Sequence, residues 1–547
     1  MTSKLRLYLS TASHLKPSQI AARLWRRLGG KTPLKWGFTP QPDIALASID
    51  NIAVLPQLDF DLHFIERFDV EAILENCITL LHRSEMVDWS ESWHKGLSTP
   101  LWRFNLHYCE YLLPLAYAFF KCGDECYLVK GKQIIEAWID CCPQEKGGVA
   151  WDPYTVALRV VNWLAFCGEL REYVESDAIF FEKMNSSLAE QQVFLATHLE
   201  TDLLANHYLE ELKSIVLLSC YFNDNETLRV ALPKLLAEVD AQVLPDGMHF
   251  ELSPMYHKVI LESLLRVAAT VLLRDPDMDA VREFRLQDMC DCLYSLERGI
   301  SRTPLFNDAG DNVSKSRDAL LNCAASTFGI KPVFRSVLPD AGYAILERNA
   351  DIGVVKVIFD AGKPGPTYAM GHAHCDALSF ECFIDGKPWI VNGGTYCYQG
   401  DERLECKRTL SHSTVMVDGE EQHECWAPFR VARFGVAALV ECGGDYAIGE
   451  FVARDGHAKV KRIVRLEADK IVIRDECDSP HLLTSCFIFP DEKTAPVKTN
   501  GTVQYAPEFG EASLAQRALL GETNTGFLEA ALDFPAAEKK QASMEGQ

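Results

Sequence analysis

The stretch VLPDAGYAILERNADIGVVKVIF, Val337 to Phe359, divides the chain. Before Pro339 apolar residues recur at helical spacing. After it they fall into short runs rich in Val, Ile, Phe and Tyr, and Tyr343–Glu347 and Gly353–Phe359 are the first predicted strands. Further strands are predicted at Leu378–Ile384, Thr414–Val417, Ala437–Val440, Lys459–Leu466, Lys470–Arg474 and Leu483–Phe489, punctuated by the turn signals Asp385-Gly386, Asp418-Gly419 and Gly443-Gly444. Antiparallel sheets stacked as a β-sandwich are the economical assembly of such a run.

Toward the N-terminus, from about Phe60 to Phe334, the pattern is helical, as in Tyr111–Phe120, Val156–Leu170, Leu188–Leu204, Leu209–Tyr221 and Val259–Leu273. These segments read as antiparallel helices joined by short loops, which makes the whole chain a multidomain α+β protein. The expected division is an extension over 1–60, a helical domain over 61–338 and the sandwich over 339–547. The extension holds Lys4, Arg6, Lys16, Arg23, Arg26 and Arg27, with Ile20, Leu24, Trp25 and Leu28 as an apolar stripe and Pro17 in the first helical turn. That stripe is expected to pack on the body of the protein.

A chain of 547 residues, 48% hydrophobic and 24% charged, has material for more than one core. Its net charge of −23 argues against nucleic acid, which needs a clustered Lys/Arg surface. A polyanionic partner would require a local basic or neutral cleft. No stretch is long and apolar enough for a membrane span, so no stable membrane insertion is expected. The first fifteen residues lack the features of a secretory signal, and the nineteen scattered cysteines contain no CxxC pair. The expected compartment is the cytoplasm as written, or the periplasm or exterior if a signal has been removed.

Four clusters combine polar side chains with apolar surroundings. The first is Arg103, Asn105 and His107 in LWRFNLHY, followed by Trp151, Tyr154 and Arg159. Aromatic faces beside Arg, Asn and His suit a sugar cleft, although core aromatics with satisfied polar neighbours give the same pattern. The second is Asn206, His207 and Glu210, with Asn206 and Glu210 on one helix face. In the third, Ser253 as N-cap and Pro254 as first helical residue place Tyr256 in the first turn, with His257 beside it. There the helix dipole mildly favours a phenolate. In the fourth, GHAHCDALSF, strand alternation would send His372 and His374 to one face, ahead of Asn392, Tyr396, Arg403 and His412.

These motifs, in this order from roughly Leu101 to Arg430, resemble the heparinase II/III family of polysaccharide lyases. The matching segments are Asn-His-x-x-Glu, Ser-Pro-x-Tyr-His, Gly-His-x-His-x-Asp, Gly-Thr-Tyr and His-x-Thr-Val, then Asp418-Gly419 and Gln422. The resemblance implies an (α/α) incomplete toroid followed by an antiparallel β-sandwich, and β-elimination of a uronate-containing acidic polysaccharide, glycosaminoglycans foremost. It implies Asn206 and His207 as carboxylate ligands, Tyr256 as acid, base or both, and His372 as the partner base. Arg103, Asn105, His107, Trp151, Tyr154, Arg159, Glu210, His257, Tyr396 and Arg403 are the expected substrate contacts. It also implies a divalent ion (Zn, Mn or Ca) at His374, Asn392 and His412, where Asn392 replaces the aspartate common in relatives.

Two rival readings use the same residues. One is a cupin-like metalloenzyme on His372-x-His374, for which Glu381 is too distant in sequence. The other is a non-catalytic glycan-binding or exopolysaccharide-assembly protein.

Overall fold

The computed structural model describes residues 3–91, 93, 99–522 and 527–535. The N-terminal half is an array of helices whose long members include Glu125–Cys141, Pro153–Glu169, Ala178–Leu195, Ala205–Tyr221, Asn225–Gln242 and Pro254–Arg274. Side chains cap several of them. Asp224 accepts from Thr227 N–H at 3.0 Å, and Ser253 accepts from Tyr256 N–H at 3.2 Å with Pro254 opening the helix. The helix Ala205–Tyr221 is buried on nearly every side, because Leu209, Leu212, Ile215 and Val216 meet neighbouring helices while polar Glu210 and Lys213 turn to an internal cavity. Each fully buried apolar side chain of this size contributes roughly 1.5–3 kcal/mol.

The C-terminal half is built mainly of antiparallel sheet, with one short helix at Gly400–Cys406. One five-stranded sheet runs in sequence order through Val337–Leu338, Tyr343–Ala350, Gly353–Asp360, Phe380–Ile384 and Lys387–Ile390. A second runs through Val436–Cys442, Tyr446–Val452, Lys459–Leu466, Lys470–Cys477 and Phe527–Asp533. A four-stranded sheet and the hairpin of His423–Ala427 with Arg430–Phe434 complete it. Burial alternates along Tyr446–Val452 and Lys459–Leu466, so one face of the second sheet meets the first around Val357, Phe359, Phe380 and Val460. The expected toroid-plus-sandwich class is the one found.

The halves share an apolar core of their own. Met248, Leu252, Leu296 and Phe306 from the helical side pack with Leu338, Tyr343, Ile345 and Ile358, and Tyr343 Oη donates to the Leu252 carbonyl at 2.8 Å. The cleft between them therefore has a fixed floor. No helix of the described residues is long and apolar enough to cross a membrane.

Two expectations change. His372 and His374 do not lie on a strand: Met370–His372 is a 3-10 turn, and Phe380 opens the next strand. The backbone between them is occupied in crossing to the helical half. At the N-terminus, helices α1 (Ser3–Ser13) and α2 (Pro17–Arg27) do lie on the body, but α2 attaches through its polar side. Gln19 is fully buried, whereas Leu24 is 57% and Leu28 83% exposed. Three main-chain acceptors for the Gln19 amide fix the helix in that orientation.

Candidate active site

A cavity of about 1540 Å³ lies between the halves and is lined by Asn206, His207, Tyr256 and His372 together. Asn206 and His207 sit at the start of the helix Ala205–Tyr221. Leu204 and Ala205 precede them at φ 63° and 55°, a left-handed excursion costly for residues with a Cβ. The bend presents both side chains to the cavity.

His207 Nδ1 lies 2.7 Å from Glu200 Oε2, and its ring stacks on Tyr154 with centroids 4.3 Å apart. Burial works against an imidazolium there. The Glu200 hydrogen bond and charge, helped by Asp152 and Glu251, outweigh it and raise the His207 pKa, while Glu200 is lowered. The result is a positive donor whose side chain remains 35% accessible.

Tyr256 projects from the first turn of Pro254–Arg274, and its hydroxyl lies 2.8 Å from that of Tyr398. Its ring centroid is 4.2 Å from that of His372. Burial, with the charge of Asp308 and the neighbouring Tyr398, pushes the Tyr256 pKa well above its ordinary value. The expectation of a favoured phenolate is corrected: desolvation exceeds the helix-end effect, and Tyr256 is a neutral phenol.

The two histidines of the fourth cluster converge on Asp308 of the helical half. His372 Nδ1 is 2.8 Å from Oδ2 and His374 Nε2 is 2.8 Å from Oδ1. Arg403 grips both oxygens, with one contact at 2.6 Å to Oδ2. Burial would favour a neutral acid, but Arg403 and the two imidazoles hold Asp308 well below the usual carboxylate range. An ionised Asp308 only accepts, so His372 donates Nδ1–H and, in the neutral ring, keeps its Nε2 lone pair free.

His374 donates Nε2–H to Asp308, and His412 donates Nδ1–H to the Arg408 carbonyl at 2.8 Å. In the neutral rings the remaining lone pairs, His374 Nδ1 and His412 Nε2, face each other at 3.1 Å. Asn392 Oδ1 accepts from Ser413 N–H at 2.9 Å and retains a second lone pair. Imidazole nitrogens and an amide oxygen are donor types that a divalent ion accepts, with less charge than a carboxylate would bring.

Of the expected substrate contacts, Asn105, Tyr154 and Glu210 line the cavity. Asn105 spends its amide on the Leu101 carbonyl, and Glu210 pairs with Lys213 and Ser263. His107, Trp151, Arg159 and His257 are corrected to core positions. His107 accepts from Trp138 Nε1 at 3.0 Å, and Trp151 donates to Cys142 O at 2.8 Å. Arg159 is fully buried on the Trp138 ring and bonded to Gln191 and Ala150 O. His257 reaches Met289 O. Arg103 and Tyr396 fall outside the cavity lining, and Arg403 acts on Asp308 rather than facing the cavity.

Sequence reasoning missed Asp308, Glu200, Tyr398 and Glu251. Asp308 stood in a polar Asn307-Asp308 pair between the two textures, and Tyr398 two residues from Tyr396, which shows the right segment but the wrong tyrosine. Glu251 is buried at the cavity with no hydrogen bond to Oε2, which lies 3.8 Å from His249 Nδ1, and burial raises its pKa against the opposing pull of His372 and His207.

Fold and site together define a two-domain protein with an (α/α) toroid, an antiparallel sandwich and a Tyr–His pair in the interdomain cleft. Residues 64–335 match the family model described as Heparinase II/III N-terminus, and residues 334–489 match Heparinase II/III-like, C-terminal. The chain belongs to the heparinase II/III family. It is 25% identical over 352 residues to a heparin-sulfate lyase of Pedobacter heparinus, covering 58% of this chain and 52% of that protein. To the heparin-sulfate lyase of Bacteroides stercoris it is 23% identical over 372 residues, covering 58% and 54%. The chain thus spans about half the length of the curated relatives it matches. Among solved structures, a heparinase III superposes with TM-score 0.63 at 16% identity over 95% of this chain and 92% of that one. A heparan sulfate lyase mutant from Pedobacter heparinus superposes at 0.57 and 17% over 91% and 87%. Both share the fold.

Proposed function

We propose that the protein is a polysaccharide lyase that cleaves a uronate-containing glycan by β-elimination. Glycosaminoglycans, heparan sulfate first, are the substrate class, in keeping with the relatives named above. The observation that carries this reading is the Tyr256 ring beside the His372 ring in a cavity that Asn206 and His207 also line.

In the proposed reaction the C6 carboxylate is held by the His207 imidazolium and the Asn206 amide, which acidifies the C5 proton. His372 Nε2 removes that proton. The C5–H electrons form the C4=C5 double bond as the C4–O4 bond breaks, and Tyr256 gives its proton to the departing O4. Asp308 keeps His372 in the tautomer this needs, with Arg403 fixing Asp308. A neutral phenol, supported by the raised Tyr256 pKa, is suited to the acid role.

The test is the ultraviolet absorbance of the unsaturated uronate released from heparan sulfate, hyaluronan, chondroitin sulfate and alginate. A rise that disappears in Tyr256→Phe and His372→Ala is the expected result. Binding without any absorbance rise would instead favour the non-catalytic glycan-binding reading.

We further propose that His374, His412 and Asn392 hold a structural divalent ion that ties the strand at Val415–Val417 to the histidine turn. When bound, the ion would accept the two facing imidazole lone pairs and so relieve their repulsion. Metal content should fall in His412→Ala, as should the melting temperature on chelation.

A further inference from the structure

Residues 1–42 carry eight Lys and Arg and no Asp or Glu, in a chain whose net charge is −23. The structure puts this basic segment against the cavity. On one side α1 lies along the sandwich hairpin: Ser10 Oγ donates to Ala432 O at 2.9 Å, Thr11 Oγ1 to Val431 O at 3.2 Å, and His14 Nε2 lies 2.8 Å from Ala432 O. On the other, the Gln19 amide of α2 reaches Asp202 O and Leu203 O of the helical half, and Tyr368 O just before the His372 turn. The helix pair bridges the two halves and forms a wall of the same cleft.

That wall is cationic, and three of its arginines are in no ion pair. Arg23 and Arg27 from α2 and Arg430 from the hairpin all line the cavity. Among the described residues no carboxylate oxygen lies within 4.0 Å of any of the three, and Arg23 has only the Asp202 carbonyl, at 3.4 Å. Burial lowers the Arg23 pKa, the Asp202 charge opposes that, and repulsion from Arg430 and Arg27 adds to it. Three like charges brought together with no ion pair of their own, and only Asp202 as a nearby counter-charge, cost energy that a bound anion would relieve.

An aromatic floor accompanies the charges. Tyr8 and Trp426 meet edge to face at 4.7 Å, and the Arg430 guanidinium is 5.2 Å from each ring. Both residues line the cavity, where aromatic side chains can pack on a pyranose C–H surface. The patch continues from the proposed reaction centre, since Phe429, next to Arg430, has its ring 6.3 Å from that of His372.

We propose that α1, α2 and the His423–Phe434 hairpin form a subsite for an anionic sugar unit of the glycan, held by Arg23, Arg27 and Arg430 over Tyr8 and Trp426, so that longer chains bind better than short ones. The identity of the ligand rests on the lyase reading; the cationic wall does not. It supplies the local basic surface that an acidic protein needs to hold a polyanion.

The test uses full-length protein carrying Tyr256→Phe, titrated calorimetrically with a heparan sulfate tetrasaccharide and octasaccharide at two salt concentrations, while the corresponding proteins with Tyr256 intact are assayed for unsaturated product. Adding Arg27→Ala and Arg430→Ala should weaken octasaccharide binding roughly ten- to a hundredfold, the loss of two charge-assisted contacts. The salt dependence and the preference for octasaccharide over tetrasaccharide should fall with it. Arg27→Lys with Arg430→Lys should restore part of the affinity, and an unchanged melting temperature separates the effect from misfolding. If product forms and the double alanine variant keeps its octasaccharide affinity, the subsite is wrong and the lyase reading stands. If arginine-dependent binding occurs without product, the lyase reading is wrong and the subsite stands. Neither binding nor product overturns both.

Discussion

His372 donates its Nδ1–H to Asp308 across 2.8 Å, joining segments 64 residues apart in the chain. Asp308 belongs to the stretch that leaves the helical half, and His372 to the turn that enters the sandwich cleft. The bond sets which imidazole nitrogen faces the cavity, and Arg403 keeps the carboxylate from rotating away.

Asp308→Asn should therefore damage both reaction and fold. The amide can donate as well as accept, so the His372 tautomer is no longer imposed, and turnover should fall about 10²- to 10⁴-fold. Arg403 would be left buried beside a neutral group, costing roughly 3–5 kcal/mol. Product absorbance and urea unfolding measure the two effects separately.

Tyr256→Phe and Tyr398→Phe should differ in size although the two hydroxyls share one hydrogen bond. Removing the proposed proton donor should lower kcat by about 10²- to 10⁴-fold. Removing its partner forfeits one neutral hydrogen bond, roughly 0.5–1.5 kcal/mol, and should lower kcat about tenfold or less. Equal losses in the two variants would remove the distinction between donor and support.

Substrate affinity should decline as pH rises through the His207 pKa. That pKa is raised, chiefly by Glu200, so the imidazolium persists to higher pH than in a free histidine. KM for a uronate substrate should climb there, and His207→Gln should flatten the climb. A KM that is constant with pH in the parent protein would argue against His207 as the carboxylate ligand.

Acid stability should be governed by the core histidines. Burial lowers His257 and His423 from the usual value to about 4 in the folded protein. Between about pH 6.5 and pH 4 the unfolded chain takes up protons that the folded chain refuses, so stability falls as pH falls. Each residue should contribute about 3 kcal/mol across that window. Denaturant midpoints for the parent and His423→Gln, followed from pH 7 to pH 4, read the difference directly.

The change of texture at Pro339 made the two architectures legible, because periodicity reports local backbone geometry. The Ser253 cap and Pro254 likewise placed Tyr256 in its first turn, a purely local matter. Burial was not legible. Arg159 and Trp151 have the composition of a sugar cleft but stack in the core against Trp138, a distinction that depends on which helices become neighbours. Asp308 was invisible for the same reason: its partners arrive from residues 372, 374 and 403. The histidine turn misled because two histidines two residues apart suggest a strand face, whereas their shared direction comes from a common carboxylate.

Ser10 and its partner Ala432 are separated by 422 residues, so the wall contributed by α1 has nothing to rest on until the ribosome has passed the hairpin. At synthesis rates of about 5–20 residues per second α1 waits roughly 20–80 s for that partner. Although early in the chain, α1 is thus among the last elements to dock. A chain stopped before the hairpin of His423–Ala427 with Arg430–Phe434 lacks this wall, so the basic side of the cleft comes into being only once that hairpin has been made.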